Sequence, residues 1–179
     1  MHRCRLEISS GALLLFALLY FFDALGLAAV AVPAIVLHET GHFAALCFCG
    51  CSVTRLRLGF FGMEMDYAGA PDDRQMLLCA AAGPLAGLLF GLAGAALPSR
   101  YFQMSARFSL LLSGFNLLPI LPLDGGRITA VLAGKERAVC LGRIAALLLL
   151  GCGLVLLWIF RTWTVLAMAI WLIILNFRT

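Results

Sequence analysis

The chain has little charge. Asp, Glu, Lys and Arg make up only 12% of its 179 residues, whereas they make up about a quarter of an average soluble domain. Hydrophobic residues make up 63%, and the mean hydropathy is +1.03. The net charge of +4 comes from 12 Arg and one Lys scattered between apolar runs, which excludes a nucleic-acid-binding surface. This composition predicts an integral membrane protein with a single domain over residues 1–179.

Histidine is scarce too, and two of the three histidines lie close together. They belong to the run His38-Glu39-Thr40-Gly41-His42, which has the pattern H-E-x-x-H. Residues four apart on a helix lie on one face, so both imidazoles can bind the same Zn²⁺ while Glu39 lies beside them as a base. Because the run lies within a long apolar stretch, it predicts metal-dependent hydrolysis inside the bilayer.

Six apolar segments predict about six transmembrane helices, since one crossing takes about 20 residues. They cover approximately residues 11–22, 25–47, 75–97, 108–121, 139–160 and 162–177. The first is predicted to be a helix and not a cleaved signal peptide, because the apolar run continues to His38. Most Arg and Lys residues fall at cytoplasmic ends when the N-terminus is inside, so both termini are predicted to be cytoplasmic. The second helix then places His38 toward the cytoplasmic leaflet.

Residues 53–67, between the second and third helices, lack a helical pattern. Apolar and polar residues alternate from Leu56 to Phe60 and again from Met63 to Tyr67, with Gly62 between the two runs. This alternation predicts either a short membrane-associated β-hairpin or an interfacial loop. The edge of such a hairpin could pair with an extended substrate segment.

The third helix carries a stripe of small residues. Gly83, Gly87 and Gly91 recur at every fourth position, so a neighbouring helix is expected to approach this face closely. Pro84 is predicted either to kink the helix or to lie in its first turn. Ser113 has no histidine after it in the sequence, so we interpret it as a small packing residue and not as the nucleophile of an intramembrane serine protease.

The seven cysteines are an odd number, and most lie within or beside apolar segments. This placement favours small packing residues over a disulfide framework. The run Cys47-Phe48-Cys49-Gly50-Cys51 offers an alternative, a thiolate metal cluster, but the run has no histidine partner nearby.

A zinc site needs a third protein ligand besides His38 and His42. Asp124 is the best candidate, since Pro119, Pro122 and the glycines after Asp124 allow irregular backbone to reach a buried polar site. The alternative is a helix-end carboxylate that pairs with Arg127. The predicted topology favours the ligand, because the fourth helix also runs inward and ends on the same side as His42.

Three of these runs together resemble the site-2 protease family of intramembrane zinc metalloproteases. They are residues 38–42, Ala82-Gly83-Pro84 and residues 116–126, and the resemblance is closest to the branch with the sporulation protease that processes an inactive sigma factor. It implies Zn²⁺ as cofactor, and these site residues: His38, His42 and Asp124 as ligands, Glu39 as catalytic base, and Asn116 and Pro122 in the substrate groove. The sporulation protease carries a nucleotide-sensing regulatory domain, and no such domain is expected within residues 1–179.

The expected protein is therefore an all-α membrane protein of about six transmembrane helices with a short membrane-associated β-hairpin or loop between helices 2 and 3. Its expected activity is that of a metalloendopeptidase in the cell membrane, which cleaves a membrane-spanning or membrane-associated protein such as a sigma-factor precursor or anti-sigma factor. Its expected partners are the lipid bilayer and that membrane-protein substrate. Neither the substrate nor an inhibitory membrane partner is identified by the sequence. The alternatives are a metal-binding or metal-transport protein and a protease-like binding module, but the mostly apolar helices and Glu39 argue against them.

Overall fold

The computed structural model describes residues 5–14, 17, 23, 26–59 and 62–178, and most of them are helical. The elements are β1 (Arg5–Ile8), α1 (Leu27–Phe48), β2 (Ser52–Gly59), β3 (Gly62–Ala68), α2 (Asp73–Ala95), α3 (Arg100–Asn116), α4 (Asp124–Ala133), α5 (Lys135–Phe160) and α6 (Thr164–Arg178). The residues up to Ser113 form one compact unit, and those from Gly114 form a second.

Three of the described helices are long and apolar enough to cross a membrane, judged by length and composition: Leu27–Phe48, Asp73–Gly94 and Lys135–Phe160. A fourth apolar helix, Thr164–Phe177, is shorter. The predicted segment 108–121 differs, because α3 begins already at Arg100 and ends at Asn116. Most of the predicted first segment, 11–22, lies outside the described residues. The protein is thus a mostly helical multi-pass membrane protein, and the number six stays a prediction.

A small sheet of order β1-β2-β3 belongs to the first unit. Strands β2 and β3 are antiparallel, with Leu56 opposite Met65. Of the two predicted alternatives, the hairpin is therefore confirmed and the interfacial loop is not. Gly62 does not stand between the strands but pairs with Gly59, and the two residues after Gly59 lie outside the described part. Strand β1, which pairs with β2 in parallel, was not predicted.

Charged side chains connect the three strands on the exposed face of the sheet. Arg55 of β2 donates from Nε to Asp66 of β3 at 2.6 Å, and its Nη1 lies 3.6 Å from Glu7 of β1. The hydrogen bond and the charge of Asp66 raise the pKa of Arg55 above its ordinary value. Because these groups are exposed, they align the strands more than they stabilise the fold.

Helix α2 begins with a capping box and then continues through a proline. Gln75 N–H donates to Asp72 Oδ1 at 2.7 Å, and Asp72 N–H donates to Gln75 Oε1 at 3.0 Å, so two helix-end donors are satisfied. Pro84 is buried inside the helix. It is therefore not a first-turn proline, although that was one of the two sequence-based interpretations.

The glycines of α2 face two different helices: Gly83 lies against α1, whereas Gly87 and Gly91 lie against α3. An added Cβ at Gly87 would overlap the Ser113 hydroxyl, and the Ser109 hydroxyl donates to the Gly87 carbonyl at 2.8 Å. An added Cβ at Gly91 would overlap Leu110. These contacts confirm the predicted close approach of a helix, here α3. Ser113 is fully buried in this contact, as expected for a packing residue.

The second unit has its own apolar core, formed by Ile120, Leu123, Ala146 and Leu172. Two of these residues come from the segment between α3 and α4, so that segment is a packed part of the unit and not a surface loop. Gly134, with φ of 89°, separates α4 from α5. The packed segment fixes the start of α4, and Asp124 is its first residue.

Candidate metal centre

His38 and His42 lie one turn apart on α1, in the first unit. Their Nε2 atoms are 3.2 Å apart, and His38 is only 4% exposed. Two nitrogens that bind one tetrahedral Zn²⁺ at 2.0–2.1 Å are about 3.3 Å apart. The two imidazoles therefore already have the separation that one zinc ion requires.

A backbone carbonyl of α2 orients the His42 ring. Nδ1 of His42 lies 2.7 Å from the carbonyl oxygen of Cys79. A carbonyl can only accept, so Nδ1 carries the proton and Nε2 presents its lone pair on the side of His38. Histidine ligands of metals usually donate their second ring N–H in this way, which fixes the tautomer and the ring orientation.

Two glycines allow α1 and α2 to meet at this point. A Cβ at Gly83, one turn after Cys79, would overlap the His42 ring. A Cβ at Gly41, inside the H-E-x-x-H run, would lie 2.9 Å from the Ala82 carbonyl carbon and 2.9 Å from the Ala86 Cβ. The ring can therefore reach the Cys79 carbonyl only because Gly83 has no side chain.

We expect Gly83→Ala to displace the His42 ring and to weaken the α1–α2 packing by about 1–3 kcal/mol, the usual range for an overpacked site. Its bound zinc, measured by elemental analysis of the purified protein, should fall well below that of the wild type. Gly151→Ala on α5 is the matched control, because an added Cβ there has nothing within 4 Å. Equal zinc content in both variants would contradict the role given to Gly83.

Glu39 follows His38 on α1 and is partly buried. It precedes His42 by three residues, so its carboxylate lies on the adjoining face of the helix. The next residue, Thr40, is exposed, and its hydroxyl donates to the Val36 carbonyl at 2.6 Å. The motif thus places the buried imidazole of His38, the partly buried carboxylate of Glu39 and the exposed hydroxyl of Thr40 on successive faces of α1.

Asp124 belongs to the second unit, where it is 5% exposed at the start of α4. Its Oδ1 lies 3.9 Å from Nη1 of Arg127, whose side chain is 62% exposed. An ion pair this long with an exposed partner contributes little to the stability of the fold.

The backbone around Asp124 is tightly packed. A Cβ at Gly126 would lie 2.5 Å from the carbonyl carbon of Ile120, so the helix start rests directly on the preceding segment. The bond between Leu121 and Pro122 is cis. The amide of Asn176, on α6, donates to the Leu121 carbonyl and, at 3.1 Å, to the Leu172 carbonyl. These contacts pack the backbone on both sides of Asp124 against the rest of the second unit.

Comparison with curated proteins finds several zinc metalloproteases. The chain is 31% identical to zinc metalloprotease Rip3 of Mycobacterium tuberculosis over 160 aligned positions, which cover 77% of this chain and 41% of that protein. It is 28% identical to zinc metalloprotease MJ0392 of Methanocaldococcus jannaschii, over 57% of this chain and 32% of that protein. It is also 28% identical to stage IV sporulation protein FB of Bacillus subtilis, over 57% of this chain and 38% of that protein. This similarity to zinc metalloproteases agrees with the predicted resemblance to the site-2 protease family.

A solved structure supports the same assignment for the fold. The site-2 protease from Methanocaldococcus jannaschii matches with a TM-score of 0.69 and 20% identity, over 99% of this chain and 91% of that one. No family model matches the chain. The matches cover less than half the length of each curated relative. The predicted resemblance to the site-2 protease family is confirmed. The prediction of zinc as the metal is confirmed as well, since the relatives are named zinc metalloproteases.

Two further site-2 protease residues were predicted, and both lie in the second unit. Asn116 is the last residue of α3 and is partly buried, whereas Pro122 is exposed and follows the cis peptide bond. Their assignment to a substrate groove stays a prediction. The sequence did not predict that the Cys79 carbonyl orients His42 or that the Asn176 amide binds the Leu121 carbonyl. Both contacts join residues that are far apart in the sequence, so neither leaves a local pattern. Gly83 was noticed only as part of a packing stripe.

Proposed function

We propose that the chain is an intramembrane zinc metalloprotease that hydrolyses a peptide bond of a membrane-spanning or membrane-associated protein. The observation that carries this proposal is the imidazole pair, with Nε2 atoms 3.2 Å apart and His42 oriented by the Cys79 carbonyl. This pair lies within a helix long and apolar enough to cross a membrane. Similarity to zinc metalloproteases and to the fold of a site-2 protease supports the same conclusion.

Asp124 is the proposed third zinc ligand. Support comes from its burial and from the packed backbone around it. A carboxylate oxygen completes the type of ligand set, two histidines and one acid, that catalytic zinc sites use. Zn²⁺ bound there would activate a water molecule and polarise the scissile carbonyl.

Glu39 is the proposed general base. Its carboxylate accepts a proton from the attacking water and later delivers that proton to the leaving amine nitrogen. The Asn116 side-chain amide is proposed to donate a hydrogen bond to the carbonyl oxygen of the scissile bond as negative charge develops there. Burial of His38 and Asp124 keeps bulk water away from these two groups, which strengthens these electrostatic effects.

The substrate must be extended where it is cut, because a transmembrane helix has all its backbone groups hydrogen-bonded and shielded. We propose that the segment around Pro122 and the free edge of β3 receive the unwound residues. Strand β3 forms an edge of the small sheet, and an edge strand offers backbone donors and acceptors to an extended peptide. A sigma-factor precursor or anti-sigma factor is the proposed substrate class.

The proposed arrangement in the cell membrane has six transmembrane helices and both termini in the cytoplasm. The distribution of Arg and Lys along the chain supports it. Cleavage is then expected near the cytoplasmic side of the membrane, because His38 and His42 lie in the later half of α1.

Metal removal tests the proposed function. We expect a strong zinc chelator to abolish cleavage of membrane proteins in isolated membranes that contain the chain, and added Zn²⁺ to restore it. The measurement is mass spectrometry of new protein termini that lie inside transmembrane segments, with and without chelator. Membranes that contain the His38→Ala variant are the control and should show none of these termini. Cleavage that persists after complete zinc removal would contradict the proposal.

A further inference from the structure

Two cysteines whose thiols take no part in the proposed chemistry lie close together in the first unit. Cys49 is the first residue after α1, and its N–H donates to the Ala45 carbonyl at 2.9 Å. Cys79 is on α2. Their sulfur atoms are 4.0 Å apart, and both residues are partly exposed. The pair therefore connects the end of one helix to the second turn of another, across 30 positions of the sequence.

We propose that Cys49 and Cys79 form a redox-reversible dithiol that is converted to an intramolecular disulfide by small disulfides such as oxidised glutathione. One thiolate attacks the small disulfide and releases one small thiol, which leaves a mixed disulfide on the protein. The second protein thiolate then attacks that mixed disulfide and releases the second small thiol. Two electrons pass from the cysteine pair to the oxidant, so the reaction balances without any other reagent.

The geometry favours this pair over the other cysteines. The sulfur atoms of Cys49 and Cys79 are 4.0 Å apart, and they need to approach to about 2.05 Å to form a disulfide. Cys51 is buried, and a Cβ at Gly69 would lie 3.1 Å from its sulfur. Cys140 and Cys152 lie twelve residues apart on α5, so about 18 Å of helix separates them.

The other sequence-based interpretation of these cysteines was a thiolate metal cluster. Among the described residues, Cys47, Cys49 and Cys51 do not form a group of three metal-donor atoms. This finding argues against the cluster and leaves the Cys49–Cys79 pair as the contact to be explained.

The same pair lies next to the histidines. The Cys79 carbonyl accepts the hydrogen bond of His42 at 2.7 Å. Cys49 follows His42 by seven residues in the sequence. A bridge would therefore restrain the two helices at the place where the His42 ring is held. Since a disulfide that closes a loop of about 30 residues restricts the unfolded chain, we expect the thermal unfolding midpoint to rise by several degrees.

Thiol counting on the full chain in detergent micelles tests this proposal. The protein is incubated with either reduced or oxidised glutathione, free thiols are alkylated with a maleimide, and the adducts are counted by intact mass. We expect the oxidised wild type to carry at least two fewer adducts, and the peptides of Cys49 and Cys79 to carry neither maleimide nor glutathione. Proteolysis without reductant should yield one cross-linked product that joins the peptides of Cys49 and Cys79.

Single serine variants give the controls. Cys49→Ser and Cys79→Ser should each retain bound glutathione on the remaining thiol, because no resolving thiol is present. Cys152→Ser removes an exposed thiol elsewhere and should still lose two adducts on oxidation. The proposal is overturned if the cross-link maps to another pair, if the oxidised and reduced wild types carry equal numbers of adducts, or if the loss of two adducts persists in Cys49→Ser. The cross-link mapping uses only the wild type, so it holds even where a variant fails to fold.

Discussion

Glu39→Gln is expected to abolish cleavage while zinc remains bound. Glutamine has nearly the shape of glutamate, but its amide cannot accept the proton of the attacking water. Loss of a general base lowers a rate by about 10²–10⁴-fold. His38 and His42 are unchanged in this variant, and their Nε2 atoms should keep the 3.2 Å separation. Zinc content and activity should therefore separate, which neither a folding defect nor a metal-transport protein would produce.

The measurement combines zinc analysis of the purified variant with a comparison of membrane proteins in cells that carry the wild type or the variant. The substrate is the protein that accumulates uncleaved in the variant cells. Glu136→Gln is the matched control, since it makes the same change at an exposed position in the first turn of α5 and should leave cleavage unchanged. Full activity of Glu39→Gln would refute the proposed mechanism.

Local patterns were sufficient to predict the parts of the site and fold that depend on neighbours in the sequence. The spacing of His38 and His42 places both rings on one face of any helix, and the structure brings their nitrogens to 3.2 Å. Alternation between Leu56 and Tyr67 predicted the hairpin, because a strand exposes every second residue. The glycine stripe predicted a close helix contact for the same kind of reason.

Features that depend on distant contacts could not be predicted in this way. Strand β1 pairs with β2 about 50 residues later, and the arginines near the N-terminus were interpreted only as membrane-flanking charges. The Cys79 carbonyl that holds His42 belongs to the backbone, and any residue type could have supplied it. Pro84 was ambiguous between a first turn and a helix interior, since only the capping box at Asp72 decides where α2 begins.

Asp124→Asn is expected to lower zinc affinity by more than about 100-fold and to abolish cleavage. Loss of a group that merely orients a ligand already costs 10–100-fold in metal affinity, so loss of a ligand should cost more. The amide keeps the size of the side chain, and the packing of Gly125 and Gly126 behind it is unaffected. Zinc dissociation constants measured with a competing chelator would give this ratio directly.

Arg127→Gln separates the two interpretations of Asp124. If Asp124 were only a helix-end carboxylate paired with Arg127, the two variants would remove the same interaction and should have the same modest effect. The contact between them is 3.9 Å long, and Arg127 is largely exposed, so we expect Arg127→Gln to keep wild-type zinc affinity and cleavage. Equal zinc affinity in Asp124→Asn and Arg127→Gln would therefore exclude Asp124 as a ligand and leave His38 and His42 in need of a different third ligand.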